Sequence, residues 1–290
     1  MKGQLRKSLG QIGQAFQTFA SQRIALLGLC LILIVVVVGV FAPIIAPYDP
    51  TILLDKPLLP PSRQYLFGTD HLGRDLFSRI VFGARVSLIV GISAQVLSTA
   101  IGVPAGLIAG YYGGRVDHLV MRIVDVFMSF PYILLALMIA SVLGPGLQNV
   151  VLALGITGWT TMCRISRVQA LSLREGTFVE SSRCMGASDL RILVHHILPN
   201  SMAPILVVLT LGMATAITGE ASLSFLGMGI KPPEPSWGGI LSESRGYLFQ
   251  SATLPIFPGV AIMVAVLGFN LVGDGLRDAL DPRLRRRALG

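Results

Sequence analysis

The sequence predicts an all-α integral membrane protein with six transmembrane helices, both termini cytoplasmic, and a cytoplasmic helix–glycine–helix loop between helices four and five. Three observations predict it. The chain has 290 residues, 53% hydrophobic and only 13% charged. A soluble domain carries roughly 25% charged residues, so lipid is the solvent for most of this surface. Apolar stretches of about 20 residues, the length a helix needs to cross the hydrocarbon core, recur along the whole chain. Basic residues gather in alternate connections, as they do on the cytoplasmic side of a membrane.

A basic tail, 1–23, precedes the first span, 24–45. The apolar core of that span is longer than the roughly 7–15 residues of a signal-peptide h-region, so it reads as an uncleaved helix. An outer segment, 46–84, is broken by Pro47, Pro50, Pro57, Pro60 and Pro61 and then turns amphipathic over 71–82. The membrane domain, 85–277, holds five further spans. They are 87–109 with Pro104 inside, 126–143 with Pro131 near its start, 147–163 (the shortest), 203–218 opened by Pro204, and 256–272. A second outer segment, 222–255, contains Lys231-Pro232-Pro233-Glu234-Pro235-Ser236-Trp237-Gly238, where proline density enforces a rigid extended turn. The basic tail 278–290 closes the chain.

Most of the 23 Lys and Arg residues fall in the two tails and in the loops after spans two and four, which places those on the cytoplasmic side. The net charge of +8 is therefore a topology signal rather than a nucleic-acid footprint. Cys30, Cys163 and Cys184 are too scattered for a disulfide framework, and no Cys/His spacing matches a metal site. No Gly-x-x-x-x-Gly-Lys-[Ser/Thr] stretch is present to cradle nucleotide phosphates, and no His-Glu-x-x-His or Gly-x-Ser-x-Gly motif suggests catalysis.

The most informative segment is the loop 167–200, because a plain connection between membrane helices can be a handful of residues. Thr177 and Glu180 have the spacing of a capping box. Gly186 suits the left-handed position that ends a helix, and Ser188 can cap a second one. In that second helix Leu190, Leu193, Val194 and Ile197 share a face at i, i+3, i+4, i+7, and Pro199 stops it. Two readings are open: an amphipathic hairpin lying on lipid headgroups, or a knob that enters a cleft on a cytoplasmic protein.

The same segment resembles the cytoplasmic loop of ABC-importer permeases, whose pattern is Glu-Ala-Ala, three residues, Gly, nine residues, Ile-x-Leu-Pro. Glu180-Ser181-Ser182, Gly186 and Leu198-Pro199 match it, with Ser181 and Ser182 for the alanines and His196 for the isoleucine as departures. Phe67-Gly68-Thr69-Asp70-His71-Leu72-Gly73-Arg74-Asp75, Met121-Arg122-Ile123-Val124-Asp125, Leu223-Ser224-Phe225-Leu226-Gly227 and Gly273-Asp274-Gly275-Leu276-Arg277-Asp278 are similar to the peptide/nickel branch of that family and to its C-type subunit. The resemblance implies a permease of the bacterial cytoplasmic membrane. It would pair with a homologous B-type permease, two ATPase subunits that use ATP and Mg, and an extracytoplasmic binding protein. The cargo it implies is di- or oligopeptides, with nickel chelates, glutathione or short oligosaccharides as alternatives. Thr177, Glu180, Ser181, Ser182, Gly186, Ser188, Leu198 and Pro199 would form the joint with the ATPase.

Polar residues at membrane depth are costly and draw attention to themselves. Glu220, past the apolar run of span five, is a candidate for the translocation path, or for an interfacial ion pair. Asp125 is expected to pair with Arg122 or to sit at the interface. Pro104 is expected to bend span two. Asp70, Arg74, Asp75 and Trp237 are candidates for contact with the binding protein; Asp70 and Arg74 could instead form a local i, i+4 pair, and the Pro232–Gly238 turn could instead rim the outer mouth. Asp274, Asp278 and Asp281, interleaved with Arg277 and Arg283, read as a solvated, ion-paired end of span six, with an inner gate as the alternative. A secondary transporter or channel, the rival from another class, would need ion-coupling charges inside the spans, and only Glu220 approaches that.

Overall fold

The computed structural model describes residues 17–280; Asp281, Arg283 and most of both tails lie outside the described residues. Eleven α-helices are bounded within the described residues. α1 is Arg23–Val40, α2 Ala42–Ile45, α3 Leu76–Tyr112, α4 Gly114–Met128, α5 Tyr132–Leu143, α6 Leu147–Leu173, α7 Thr177–Cys184, α8 Asp189–Ile192, α9 Leu198–Phe225, α10 Trp237–Ser244 and α11 Thr253–Leu280. No strand occurs among the described residues, only an isolated bridge between Thr69 and Asp75.

Among the described residues, four helices are long and apolar enough to cross a membrane: α1, α3, the continuous run Asp189–Phe225, and α11. The expected straight span 126–143 is instead a bent pair, α4 and α5, meeting at 87° across Ser129–Pro131. The residue before a proline avoids the helical region, and Pro131 takes extended geometry as the N-cap of α5. The expected span 147–163 is part of a 27-residue helix, α6, which is not apolar enough to count with the other four. Its position explains that. α6 packs along α3 and against α9 and α5, so it needs little lipid-facing apolar surface and carries hydroxyls inward.

The expected helix 71–82 and the span 87–109 are one helix of 37 residues. It starts later than its amphipathic pattern suggests, because Asp70 organises a turn first. The Asp70 Oδ1 accepts from the N–H of Leu72 (2.8 Å) and of Arg74 (2.9 Å). Asp75 is the true N-cap, its Oδ2 accepting from the Ser78 N–H at 2.8 Å. Pro104 does not end α3.

α3 and α6 form the closest pair in the bundle. Gly102, Gly106 and Gly110 recur every fourth residue on one face of α3, and a Cβ at each would run into the α6 backbone at Trp159, Cys163 and Arg167 respectively. Small residues let membrane helices approach this closely and gain dispersion energy over their whole length. Gly106→Leu is expected to prise the pair apart, costing at least the 1–3 kcal/mol of ordinary overpacking; loss of a monodisperse peak on detergent gel filtration would register it, and a wild-type elution and melting profile would refute the rigid contact.

Candidate functional site

Two features stand out: a cavity at mid-length of the bundle, and the hairpin at one end of it. The cavity, of about 580 Å³, is lined by α3 (Ala94, Gln95, Ser98), α6 (Leu154, Thr157, Gly158, Thr160, Thr161, Met162), α9 (Val208, Leu211, Gly212, Thr215, Ala216) and the bend between α4 and α5 (Phe127, Met128, Phe130, Tyr132, Leu135). None of these carries a formal charge. The volume is within the range of small-ligand clefts, roughly 300–1,000 Å³.

At the hairpin end the chain leaves α6 and forms α7, then Gly186, then α8. Gly186 has φ +79°. The Ala187 N–H donates to the Ser182 carbonyl (3.0 Å) and the Gly186 N–H to the Arg183 carbonyl (2.9 Å), the paired bonds of a Schellman motif. The expected capping box is not made. Gly176, not Thr177, is the N-cap of α7, and neither it nor Ser188 caps through a side chain. Thr177 and Glu180 are exposed, and the Glu180 carboxylate makes no hydrogen bond or ion pair within the described residues. Ser181 Oγ bonds back to the Thr177 carbonyl at 2.7 Å, and the buried Ser182 Oγ to that of Phe178 at 2.8 Å.

The expected stripe is also redrawn, and Pro199 does not stop the helix. Residues Leu193–Ile197 form a π-helical turn in which the Leu198 N–H reaches back to Leu193, and Pro199 then sits in the first turn of α9. The wide turn falls just before the proline, which lacks an N–H and crowds the carbonyl four residues back. Carbonyls left over are taken by side chains, His196 by Asn200 Nδ2 (2.6 Å) and Ile197 by Ser201 Oγ (2.8 Å). Widening the turn rotates the faces. Ile192, Leu193 and Ile197 are buried with Val179 against Val103, Leu107, Tyr111, Ala170 and Ile205. Leu190 and Val194 are exposed, as are Phe178 and Met185. The hairpin therefore presents uncovered apolar side chains as well as a free carboxylate.

Polar contacts fasten the hairpin to the bundle. The Tyr111 hydroxyl, at the end of α3, donates to Asp189 Oδ1 at 2.7 Å, and the Arg183 guanidinium lies 5.0 Å from the Tyr111 ring centre. Arg174 Nη1 donates to the Gly110 carbonyl at 3.2 Å. Arg167 forks onto Asp117, one arm at 2.6 Å. Asp125 pairs with Arg164 of α6 at 2.9 Å, not with the expected Arg122. Sequence reasoning passed over Tyr111, whose signal was a pair of tyrosines, Tyr111 and Tyr112, at the end of an apolar span.

The opposite end is sealed by α10, and the residues expected to be surface contacts are inside that seal. Asp70, Arg74, Asp75 and Trp237 are all buried. Trp237 fits against Gly83, and its Nε1 donates to the Ile80 carbonyl at 2.9 Å. The i, i+4 pair is made, Arg74 Nε to Asp70 Oδ2 at 2.6 Å, but it is part of a larger set. Arg74 (3.1 Å) and Arg79 (2.9 Å) both reach Glu243 Oε2 on α10, and His71 is 3.8 Å from the same oxygen. Asp70, His71 and Glu243 lie close enough to share a cation, but the two guanidinium groups already occupy those carboxylates. Glu220 is fully buried near this end. Ser224 Oγ donates to its Oε1 at 2.7 Å and Ser87 Oγ to its Oε2 at 3.3 Å. It does not line the cavity.

Residues 102–286 match the family model described as binding-protein-dependent transport system inner membrane component. Residues 10–61 match that of the N-terminal TM domain of oligopeptide transport permease C. The chain is 45% identical over 274 residues to the dipeptide transport system permease protein DppC of Alkalihalophilus pseudofirmus, covering 94% of this chain and 90% of that one. It is 48% identical over 260 residues to a putative peptide transport system permease protein of Brucella suis (89% and 88% covered). It is 45% identical over 272 residues to the glutathione transport system permease protein GsiD of Escherichia coli (93% and 90% covered). Among solved structures, a chain of the inward-facing MetNI methionine ABC transporter superposes with a TM-score of 0.59 at 20% identity, over 71% of this chain and 98% of that one, which shows a shared fold.

Proposed function

Because the chain belongs to the family of inner membrane components of binding-protein-dependent transport systems, we propose that it is the C-type permease subunit of an ATP-driven importer of di- and oligopeptides. The observation that carries this reading is the hairpin. It is fixed to α3 and α6 by buried apolar side chains and by Tyr111, yet keeps Glu180 and four apolar side chains free on its outside. Such an element is built to receive force from another protein and pass it on. The force comes from two ATPase subunits, where ATP and Mg are used; this chain binds neither. A homologous permease faces the cavity from the other side, and a binding protein delivers cargo at the end sealed by α10. The chain spans the cytoplasmic membrane six times, with both termini and the hairpin cytoplasmic.

Closure of the ATPases pushes the hairpin, and α3 and α6, clasped glycine to backbone, move with it as one body. Two global arrangements with different contacts at the hairpin are what such a transition requires. The uncharged cavity favours this over ion-coupled transport, which needs titrating or ion-binding groups in the path.

The test is reconstitution of this chain with its partner permease, ATPases and binding protein in liposomes. ATP-dependent accumulation of a labelled dipeptide is expected. Accumulation under an ion gradient without ATP would overturn the reading. Glutathione, a tripeptide that names one relative, is the second cargo, and competition between the two labels ranks them.

A further inference from the structure

Gln95 is a largely buried residue whose side-chain amide opens onto the cavity with its hydrogen bonds unspent. It is 6% exposed, at mid-length of α3, in the wall of the cavity. Its backbone carbonyl accepts from Thr99 Oγ1, but its side-chain amide has no partner among the described residues. The neighbouring hydroxyls are different. Ser98 Oγ donates to the Gly155 carbonyl at 3.0 Å, Thr157 Oγ1 to that of Ala153 at 2.9 Å, and Thr215 Oγ1 to that of Leu211 at 3.3 Å. Each has given its only proton to a helix backbone. The Gln95 amide keeps both its donors and its acceptor.

A ligand that enters the cavity meets in this amide a donor and an acceptor that no protein group has claimed, and pairing with both offsets the ligand's own loss of water. The fold makes room for it. The amide lies across Gly212 of α9, where any Cβ would collide with Oε1, Cδ and Nε2. An amide with a free N–H and a free C=O is the complement of another amide: Nε2–H donates to its carbonyl and Oε1 accepts its N–H. Every peptide bond offers that pair whatever its side chains, and the rest of the cavity wall is uncharged. A wall that reads the backbone and ignores side-chain charge suits a cargo of varied sequence.

We propose that Gln95 is the substrate-reading residue of this chain's share of the path, holding a peptide bond of the cargo in passage. The proposal rests on the peptide reading above. It is tested in the reconstituted complete transporter with a dipeptide and the same dipeptide N-methylated at its single peptide bond, which has lost the N–H. Wild-type protein is expected to prefer the parent, and Gln95→Met to shrink that preference about tenfold, the scale of one buried hydrogen bond. The binding protein is the same in both, so its own preference cancels from the comparison. An undiminished preference in Gln95→Met overturns the proposal and leaves the peptide reading standing. No dipeptide uptake by wild-type protein sinks the peptide reading itself, and this proposal with it. Should Gln95→Met fail to assemble, Gln95→Cys, with Cys30, Cys163 and Cys184 replaced by Ala, supplies a second reading. Dipeptide is expected to slow its modification by a thiol reagent in the assembled transporter; no protection overturns the proposal.

Discussion

Glu180→Ala is expected to lower peptide uptake per transporter by roughly ten- to a hundredfold, the equivalent of a charged hydrogen bond worth about 1.5–3 kcal/mol. ATP hydrolysis should lose its dependence on cargo, while the melting temperature of the purified permease stays at the wild-type value. The last clause separates this residue from a helix cap. A cap lost from α7 would cost about 1 kcal/mol, but the cap position is held by Gly176 and the Glu180 carboxylate makes no hydrogen bond or ion pair among the described residues. On the proposed reading, what it gives up on truncation is a contact with another subunit. Uptake, hydrolysis and melting measured side by side decide the matter. A lowered melting temperature with normal uptake would return Glu180 to a structural role and leave the hairpin without its proposed joint.

The helix–glycine–helix hairpin was legible in the chain because its signals are local. Gly186 ends a helix wherever the next residues must reverse, and it does so with φ +79°. Misreadings begin where two local rules meet a third element. Pro199 forbids a regular helix, and the periodicity of Leu190, Leu193, Val194 and Ile197 assumes one. The π-helical turn satisfies the proline and thereby breaks the period, turning Leu190 and Val194 outward. The bend at Ser129–Pro131 and the late start of α3 share one cause. Hydropathy reports which residues tolerate lipid, whereas turn chemistry at Asp70 and Pro131 decides where helices begin. α6 is the reverse case. It takes the place of an expected span with too little apolar character, because its neighbours are helices rather than lipid. Trp237 could not have been placed from its own segment, since its pocket is the missing Cβ of Gly83, more than a hundred residues away. Gln95 was legible in principle as a lone amide inside an apolar span, but a search confined to charged residues passes over it.

The second large effect is expected at the seal made by α10. Asp70, Glu243, Arg74 and Arg79 form a set of two carboxylates and two guanidinium groups, with Arg79 1% and Arg74 3% exposed. The set is neutral as a whole, and its members are costly one at a time. Arg79→Met leaves the part-buried Glu243 carboxylate with one partner too few, and Glu243→Gln leaves the buried Arg79 guanidinium in the same position. Removing one partner of a buried pair costs about 3–5 kcal/mol, whereas replacing both can be close to neutral. Each single variant is therefore expected to lower the melting temperature of the purified permease sharply, and the double variant Arg79→Met, Glu243→Gln to recover most of the loss. The interaction energy from that cycle should reach at least about 2 kcal/mol. Additive losses would mean that α10 is held by Trp237 and its hydrogen bond to Ile80 alone, with the charges along for the packing of their stems. The distinction bears on transport. A seal held by a neutral charge set can be opened by a docking partner that offers the part-exposed Glu243 a substitute ion partner, while one held by a buried indole opens only by withdrawing α10 from α3.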